Sequence, residues 1–276
     1  LDQVIDFENF DFKGYFSSVT DADVRDSIYR DILKPYDLLN LLSPVAEERL
    51  EEMAQKAQAV TRQYFGRTIG LYAPLYISDF CSNHCTYCGF NCSTDFGRTK
   101  LTIDQIEEEA KVISGMGIRH ILVLTGEAPA RTPMSYLIDA VTVLKKYFAS
   151  IAIEIFPMDE DDYRVLNRAG VDSLTVYQET YDRELYKSVH LKGKKTDYTY
   201  RLMTPDRGAK AGFRALGLGP LFGLGDPKIE AFMAGCHARY LEQTYPHVEV
   251  SLSLPRMTQA DGGIAPPHEL SDIGFV

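Results

Sequence analysis

The chain has 276 residues, of which 45% are hydrophobic and 25% charged, a composition typical of a globular protein with a large core. Its formal net charge of −10 argues against nucleic-acid binding, which requires a basic face. No apolar run approaches the ~20 residues of a membrane helix, and the first residues lack the basic and apolar regions of a signal peptide. Five cysteines without such a signal indicate a reducing compartment, so the sequence predicts a cytoplasmic protein that does not bind membranes.

Residues 1–70 are predicted to form a helical extension that packs on the rest of the chain. Residues 1–20 are acidic and aromatic without a clear period, and helices are predicted over 21–33 and 44–65. The second helix carries an apolar stripe at helical spacing, which consists of Leu50, Met53, Ala57 and Val60.

From residue 71 to residue 276 the pattern changes to short apolar strands that alternate with helices. The strands are predicted over 71–78, 120–125, 151–156, 173–178, 215–221 and 247–254. The helices between them are predicted over 103–116, 133–148, 159–168, 197–211 and 228–243. This alternation is typical of parallel βα units, so the sequence predicts an α/β fold, a (β/α) barrel of which six units are visible. Residues 269–276 resemble the start of another helix without a cap, and we therefore expect the chain to be incomplete at its C-terminus.

A cysteine motif follows the first predicted strand. Cys81, Cys85 and Cys88 stand at Cys-x3-Cys-x2-Cys spacing, and thiolate is the ligand that iron–sulfur clusters select. Three ligands on a four-iron cluster leave one iron open to a small molecule. Cys92 and Cys236 are interpreted as non-ligands. A structural zinc site is the alternative, but it requires four ligands, usually in two separated pairs, and the sequence has no second pair. Ordinary buried thiols are a further alternative.

Polar residues at the C-terminal ends of the strands are the other site candidates, because active sites of βα barrels form there. Gly126 and Glu127 follow the second strand, and Glu179 follows the fourth. Glu154 belongs to the third strand. Arg256 follows the sixth strand, where it could bind a substrate anion or pair with an acidic neighbour at the rim.

Three further features lie in the second half of the chain. Gly219 belongs to a glycine-rich strand, where missing Cβ atoms let a planar ligand approach the backbone. The loop over 190–195 is basic, and we interpret it as solvent-exposed rather than as a ligand site. Arg201 and Arg207 lie on one predicted helix, and a guanidinium suits a carboxylate bidentately. Most helix arginines, however, face solvent.

Seven short motifs occur in order between residues 71 and 263: Cys-Thr-Tyr-Cys-Gly-Phe, Thr-Gly-Glu, Tyr-Gln-Glu-Thr-Tyr, His-Leu-Lys-Gly-Lys-Lys, Thr-Pro-Asp-Arg, Gly-Leu-Gly, and Pro-Arg followed by Gly-Gly. Together they resemble the radical S-adenosylmethionine (SAM) superfamily, its aromatic amino-acid lyase branch, and within that branch most closely the 2-iminoacetate synthases. The resemblance implies a TIM-like radical SAM barrel. It also implies a [4Fe–4S] cluster on Cys81, Cys85 and Cys88, with SAM at the open iron.

The resemblance assigns SAM-binding roles to individual residues. Gly126 and Glu127 match the motif that holds the SAM amino group, although Thr-Gly-Glu stands here in place of Gly-Gly-Glu. Arg201 matches an arginine that pairs with the SAM carboxylate, with Arg207 as the competing candidate. The full set of implied SAM-binding residues is Tyr87, Gly126, Glu127, Glu179, Arg201 and Gly219, of which Tyr87 and Gly219 would lie beside the adenine.

The resemblance also implies a reaction. The 2-iminoacetate synthases are tyrosine lyases, in which a 5′-deoxyadenosyl radical takes a hydrogen atom from L-tyrosine and the Cα–Cβ bond is cleaved to p-cresol and 2-iminoacetate. The implied partners are thiazole synthase, which uses the product for thiamine biosynthesis, and a low-potential electron donor such as flavodoxin or ferredoxin. Glu154 and Arg256 are the substrate-side candidates, since the family's substrate-carboxylate arginine would follow Val276.

Other functions are also compatible with the sequence. Within the branch they are the tyrosine lyase of [FeFe]-hydrogenase maturation, which carries a second cluster in a C-terminal domain, and tryptophan lyase. From a different class, the chain could be a non-catalytic iron–sulfur or zinc scaffold, which would have a filled fourth ligand position and would not respond to SAM.

Overall fold

A six-stranded parallel sheet forms the centre of the structure, a computed structural model that describes residue 7 and residues 9–270. The strands in chain order are β1 (Tyr72–Ser78), β2 (His84–Cys85), β3 (His120–Thr125), β4 (Ser150–Glu154), β5 (Ser173–Glu179), β6 (His190–Lys192), β7 (Ala215–Pro220) and β8 (Glu249–Leu252). The sheet order is β1-β3-β4-β5-β7-β8, while β2 and β6 form a separate antiparallel pair. The prediction of six parallel units of a (β/α) barrel is confirmed.

Eleven helices are described. They are α1 (Phe12–Ser18), α2 (Asp21–Ile28), α3 (Pro35–Leu42), α4 (Leu50–Phe65), α5 (Ile103–Gly115), α6 (Met134–Leu144), α7 (Glu160–Ala169), α8 (Arg183–Val189), α9 (Tyr198–Leu202), α10 (Thr204–Ala211) and α11 (Pro227–Thr244). A 3-10 helix, Pro44–Arg49, precedes α4.

The helix predictions differ from the structure in two ways: three helices were missed, and one predicted helix is divided. Helices α1, α3 and α8 were not predicted, and they have only 7, 8 and 7 residues. The single helix predicted over 197–211 is divided at Met203 into α9 and α10, because Pro205 in the first turn of α10 favours a new start. The helix predicted over 269–276 lies largely outside the described residues.

The core lies between the sheet and the helices that cover it. Strand β3 has four consecutive buried residues, Ile121 to Leu124, because one face packs on helices and the other faces the barrel interior. Helix α5 begins at a capping box, in which Thr102 and Gln105 satisfy each other's backbone N–H groups. Because the six strands are parallel, their C-terminal ends lie at one rim of the sheet.

The segments before β1 differ in how closely they pack on the rest of the structure. Phe7 and Phe12 contact Phe232 of α11 edge-on, with ring centroids 4.8 and 5.7 Å apart. Helix α4, in contrast, has no buried residue among those described. The division of the chain at residue 70 stays a prediction. No helix in the described part of the chain is long and apolar enough to cross a membrane.

Candidate active site

One cavity of about 210 Å³ opens at the C-terminal ends of β1, β3, β4 and β5. Its lining contains Tyr76, Cys81, Asn83, Cys85, Tyr87, Cys88, Phe90, Leu124, Thr125, Gly126, Glu127, Glu154, Ile155, Thr175, Val176, Tyr177, Glu179, Lys195 and Arg201. The three cysteines of the motif and four predicted carboxylate and arginine candidates thus face the same space.

The segment over 79–92, here called the cysteine loop, is held by its own polar contacts. The Arg98 guanidinium donates to the carbonyl oxygens of Asp79, Phe90 and Asn91 at 2.7, 2.8 and 2.7 Å. The Cys92 amide donates to the Asn83 carbonyl at 2.8 Å, closing the loop. Sequence analysis did not single out Arg98, whose function depends on backbone partners that no side-chain motif reveals.

The cysteine loop also contacts the end of β3 closely. A Cβ atom on Gly126 would lie 2.3 Å from the Phe80 carbonyl oxygen, so only glycine fits there. The amide and the hydroxyl of Ser82 both donate to the Glu127 carbonyl, at 3.0 and 2.8 Å. The Thr-Gly-Glu strand end therefore shapes the cysteine loop through its backbone.

The basic segment over 190–195 is not the exposed loop that was predicted. Its first three residues form β6, which pairs with β2 inside the cysteine loop, and Gly193 lies so close to Asn83 that a Cβ atom would be 2.0 Å from Oδ1. Lys194 is exposed as expected, but the side chain of Lys195 is only 11% exposed and lines the cavity. The prediction of a solvated loop is therefore wrong for Lys195.

Four buried side chains form what we call the buried ion network: Glu127, Glu179, Lys195 and Arg201. The Arg201 guanidinium lies 2.7 Å from Glu127 Oε1 and 3.6 Å from Glu179 Oε1, and its Nε donates to the Tyr177 carbonyl at 2.6 Å. Lys195 Nζ lies 2.6 Å from Glu179 Oε1. Of the two arginine candidates, Arg201 faces the cavity, whereas Arg207 donates to the Met158 and Tyr200 carbonyls.

Charge pairing keeps both carboxylates of the network ionised. Burial alone would raise the pKa of Glu127, but Arg201 and Lys195 lower it below its usual value. Burial likewise opposes ionisation of Glu179, and Lys195 and Arg201 again lower the pKa. The network has equal numbers of positive and negative side chains, so its members stabilise one another at this partly buried site.

Glu179 has an unusual backbone. Its φ of 73° lies in the left-handed region, and no other non-glycine residue in the described part of the chain has a positive φ. The register between β5 and β7 shifts between Tyr177 and Glu179, so a bulge turns the end of β5. Glu179 is buried despite this conformation. Backbone strain of this kind persists only where the surrounding contacts stabilise it, and it is frequent at functional sites.

Tyr87 lines the cavity, and its hydroxyl contacts His190 Nε2 at 2.8 Å. Gly219 and Arg256 lie outside the cavity lining. A Cβ atom on Gly219 would lie 2.0 Å from the Ser253 carbonyl oxygen, so the neighbouring strand already requires a glycine there. Arg256 is exposed, and its backbone bridges to Phe222. The ligand roles of these residues stay predictions.

Comparisons with known proteins assign the family. The family model described as the radical SAM superfamily matches residues 75–233. The chain is 41% identical to the 2-iminoacetate synthase of Escherichia coli K12, with 93% of this chain and 68% of that protein aligned. It is 39% identical to the 2-iminoacetate synthase of Salmonella typhimurium, with 95% and 70% aligned. The chain belongs to the radical SAM superfamily, in the 2-iminoacetate synthase family.

The fold of this radical SAM chain also matches a solved structure. HydG, a maturase of the [FeFe]-hydrogenase, superposes with a TM-score of 0.91 at 29% identity, with 98% of this chain and 63% of that chain covered. The chain thus spans about two thirds of the length of these relatives. The TIM-like barrel fold is confirmed.

The cofactors of this radical SAM chain are a [4Fe–4S] cluster and SAM, and the cavity fits both. Its three soft thiols suit an iron–sulfur cluster, and it contains no fourth cysteine, since Cys92 is exposed and Cys236 is buried in α11. Within the described residues, no three His, Cys, Asp or Glu side chains converge on a single metal ion.

Two observations concern the state of this site without its ligands. Thr125 lines the cavity, and its buried hydroxyl oxygen has no hydrogen-bond partner among the described residues. Burial raises the pKa of the Cys85 thiol to about 12. A cluster held by Cys85 would therefore displace a thiol proton that the cluster-free protein retains.

Glu154 should make the stability of the cluster-free protein depend on pH. Burial, with a smaller effect from Glu179, raises its pKa from 4.5 to about 7, and a raised carboxyl pKa favours folding only while the group is protonated. Its contribution is present below pH 4.5 and is lost as the pH rises towards 7. Between low and high pH, the free energy of unfolding should therefore decrease less in Glu154→Gln than in the wild type, by up to about 3 kcal/mol.

Urea unfolding of the cluster-free protein at about pH 5 and about pH 8 measures this difference. The exposed carboxylate Glu108 on α5 provides the matched control, and Glu108→Gln should show the same pH dependence as the wild type. An unchanged pH dependence in Glu154→Gln would contradict the assigned pKa.

Proposed function

We propose that this chain is the catalytic part of a tyrosine lyase, which cleaves the Cα–Cβ bond of L-tyrosine to p-cresol and 2-iminoacetate for thiamine thiazole biosynthesis. The observation that carries the proposal is the shared cavity, where three cysteine thiols face a buried ion network. Identity of 41% to a 2-iminoacetate synthase supports this chemistry over other radical SAM reactions.

The residues have separate binding roles in this proposal. Cys81, Cys85 and Cys88 hold the cluster, and the cluster with SAM supplies a carbon radical that removes a hydrogen atom from the substrate. The carboxylate of Glu127 accepts from the SAM ammonium. The Arg201 guanidinium, already fixed by the Tyr177 carbonyl, pairs with the SAM carboxylate.

The rest of the network orients these groups. Glu127 is fixed from one side by Asn83, whose Nδ2 donates to Oε2 at 2.7 Å, and from the other by Arg201. Glu179 accepts from Lys195, and we assign its remaining acceptor capacity to the SAM ribose or ammonium. Because Glu127, Glu179 and Arg201 are already held by neighbouring groups, little side-chain reorganisation is required when SAM binds.

The substrate side of the cavity is formed by β4 and β5. Glu154, Thr175 and Tyr177 line it, and a carboxylate there suits the ammonium group of an amino acid. Arg256 is kept as a second substrate candidate on the rim. A site closed to bulk water would protect the reacting centre from side reactions.

Hydrogenase maturation is the second candidate function, and the TM-score of 0.91 to HydG is the observation that favours it. Sequence identity is lower for that relative, at 29% against 41% for the E. coli enzyme. The proposed partners follow from the first candidate: thiazole synthase as acceptor of 2-iminoacetate, and flavodoxin or ferredoxin as electron donor.

The test uses the complete protein, reconstituted with iron and sulfide without oxygen, reduced, and supplied with SAM and L-tyrosine. Mass spectrometry should detect 5′-deoxyadenosine and p-cresol together. Deoxyadenosine without cresol would retain a radical SAM enzyme but reject tyrosine as its substrate. Neither product from a fully loaded cluster would reject the proposed activity. Complementation of a thiazole-requiring strain distinguishes thiamine biosynthesis from hydrogenase maturation.

A further inference from the structure

A buried carboxylate lies behind the active site. Glu230, in the first turn of α11, is 2% exposed. Its Oε1 accepts a short hydrogen bond from the Thr180 hydroxyl, and its Oε2 accepts from the Tyr181 amide at 2.9 Å. A Cβ atom on Gly225 would lie 2.5 Å from Oε1, so the chain passes close to this carboxylate. Glu230 therefore ties α11 to the two residues that follow Glu179.

The same turn is fixed at other points. The Tyr181 carbonyl accepts from the Tyr198 hydroxyl at 3.0 Å, and the Tyr181 hydroxyl contacts His237 Nδ1 at 3.0 Å. The Glu179 carbonyl accepts from the Leu221 amide at 2.8 Å. These contacts come from α9, α11 and the residue that follows β7, and together with the Glu230 carboxylate they hold an otherwise unfavourable backbone conformation.

We propose that Glu230 is a positioning residue for the active site. It holds Thr180 and Tyr181 so that Glu179 keeps its left-handed backbone and presents its carboxylate to the buried ion network. A non-glycine residue stays in the left-handed region only when its surroundings outweigh the strain, and Glu230 supplies two of the hydrogen bonds that do so.

The two contacts favour a carboxylate at position 230. The Thr180 hydroxyl and the Tyr181 amide both donate to it, and an ionised carboxylate accepts at both oxygens. A glutamine would have to donate to the Thr180 hydroxyl, which already accepts from the Asp182 amide at 3.2 Å. The N-terminus of α11, an 18-residue helix, offsets the negative charge. Burial raises the pKa of Glu230 to about 7, and the hydrogen bonds from Thr180 and Tyr181 oppose that rise.

The inference depends on the proposed function in one respect, that Glu179 contacts SAM. In the reconstituted enzyme, Glu230→Gln should weaken SAM binding about tenfold, because a buried donor loses its acceptor. Thr180→Val, which removes one of the two donors, should act in the same direction, and Thr180→Ser should restore affinity relative to Thr180→Val. Leu241→Ala on the same helix is the control, since it creates a core cavity and should lower the melting temperature without changing SAM affinity.

A crystal structure of Glu230→Gln provides a measurement that does not depend on SAM. We expect Glu179 to leave the left-handed region, and an unchanged Glu179 backbone and carboxylate position would overturn the positioning role. Glu179→Gln distinguishes the positioning role of Glu230 from the SAM contact of Glu179. If it weakens SAM binding while Glu230→Gln and Thr180→Val do not, positioning is refuted and the proposed function stands. If Glu179→Gln binds SAM normally, the SAM role of Glu179 fails, and the crystal structure alone decides the positioning role.

Discussion

Replacing Cys85 by alanine is expected to abolish cluster binding and, with it, both 5′-deoxyadenosine and p-cresol. Cys85 is 4% exposed and lies in β2, where it is fixed by pairing with β6. Because each of the three thiolates would bind a different iron, the remaining two cannot compensate for a missing ligand. Iron and sulfide content, the visible absorbance of the reconstituted protein and mass spectrometry of the products measure the loss.

The chain offers a matched control for this experiment. Cys92 lies seven residues further along, is exposed, and is absent from the cavity lining, so Cys92→Ala should retain the iron content and both products. A Cys85→Ala protein that retained a full cluster and cleaved SAM would contradict the ligand assignment. A Cys92→Ala protein without a cluster would instead indicate that a fourth thiolate takes part.

Replacing Arg201 by leucine is expected to have the second largest effect, on both stability and SAM binding. The Arg201 side chain is 7% exposed and lies against Glu127 and Glu179, so its removal leaves two buried carboxylates with one remaining cation, Lys195. Breaking a buried ion pair in this way costs about 3–5 kcal/mol. We expect SAM affinity to fall at least about tenfold, in line with the loss of a charge-assisted bidentate contact. Denaturant unfolding and equilibrium dialysis with labelled SAM measure the two effects.

Arg207 is the natural control for Arg201, because it is also partly buried and donates to two backbone carbonyls, but does not line the cavity. Arg207→Leu should lower stability moderately and leave SAM affinity near that of the wild type. Arg201→Lys retains the charge without the planar fork, and should recover stability more than affinity. Equal SAM affinities in Arg201→Leu and the wild type would disprove the assigned carboxylate contact.

The barrel and the position of its site could be predicted from sequence because both depend on local patterns. Apolar strands alternate with amphipathic helices, and parallel strands place their C-terminal ends on one rim. Cys85, Glu127 and Glu179 each follow a predicted strand closely, and the structure brings all three to one cavity. The location of a motif near a strand end can be predicted without knowledge of the contacts between distant segments.

The features that were missed depend on contacts between distant segments. Lys195 stands beside Lys194 in a basic run, and only the pairing of β6 with β2 buries one and exposes the other. The left-handed backbone of Glu179 has no sequence signal, since glycine or asparagine would be expected there. Arg201 and Arg207 occupy one predicted helix, and only their tertiary contacts show that the first lines the cavity while the second donates to the Met158 and Tyr200 carbonyls.

The pairing of the cysteine loop with β6 has a consequence for the order in which the protein matures. Tyr87 and its partner His190 are 103 residues apart along the chain, and the strands β3, β4 and β5 lie between them. Contacts of such long separation form late in folding, because the entropy of closing a long loop must be overcome first. We therefore expect a chain that ends before β6 to lack the pairing that holds Cys85, and to retain an added cluster less well than the full chain.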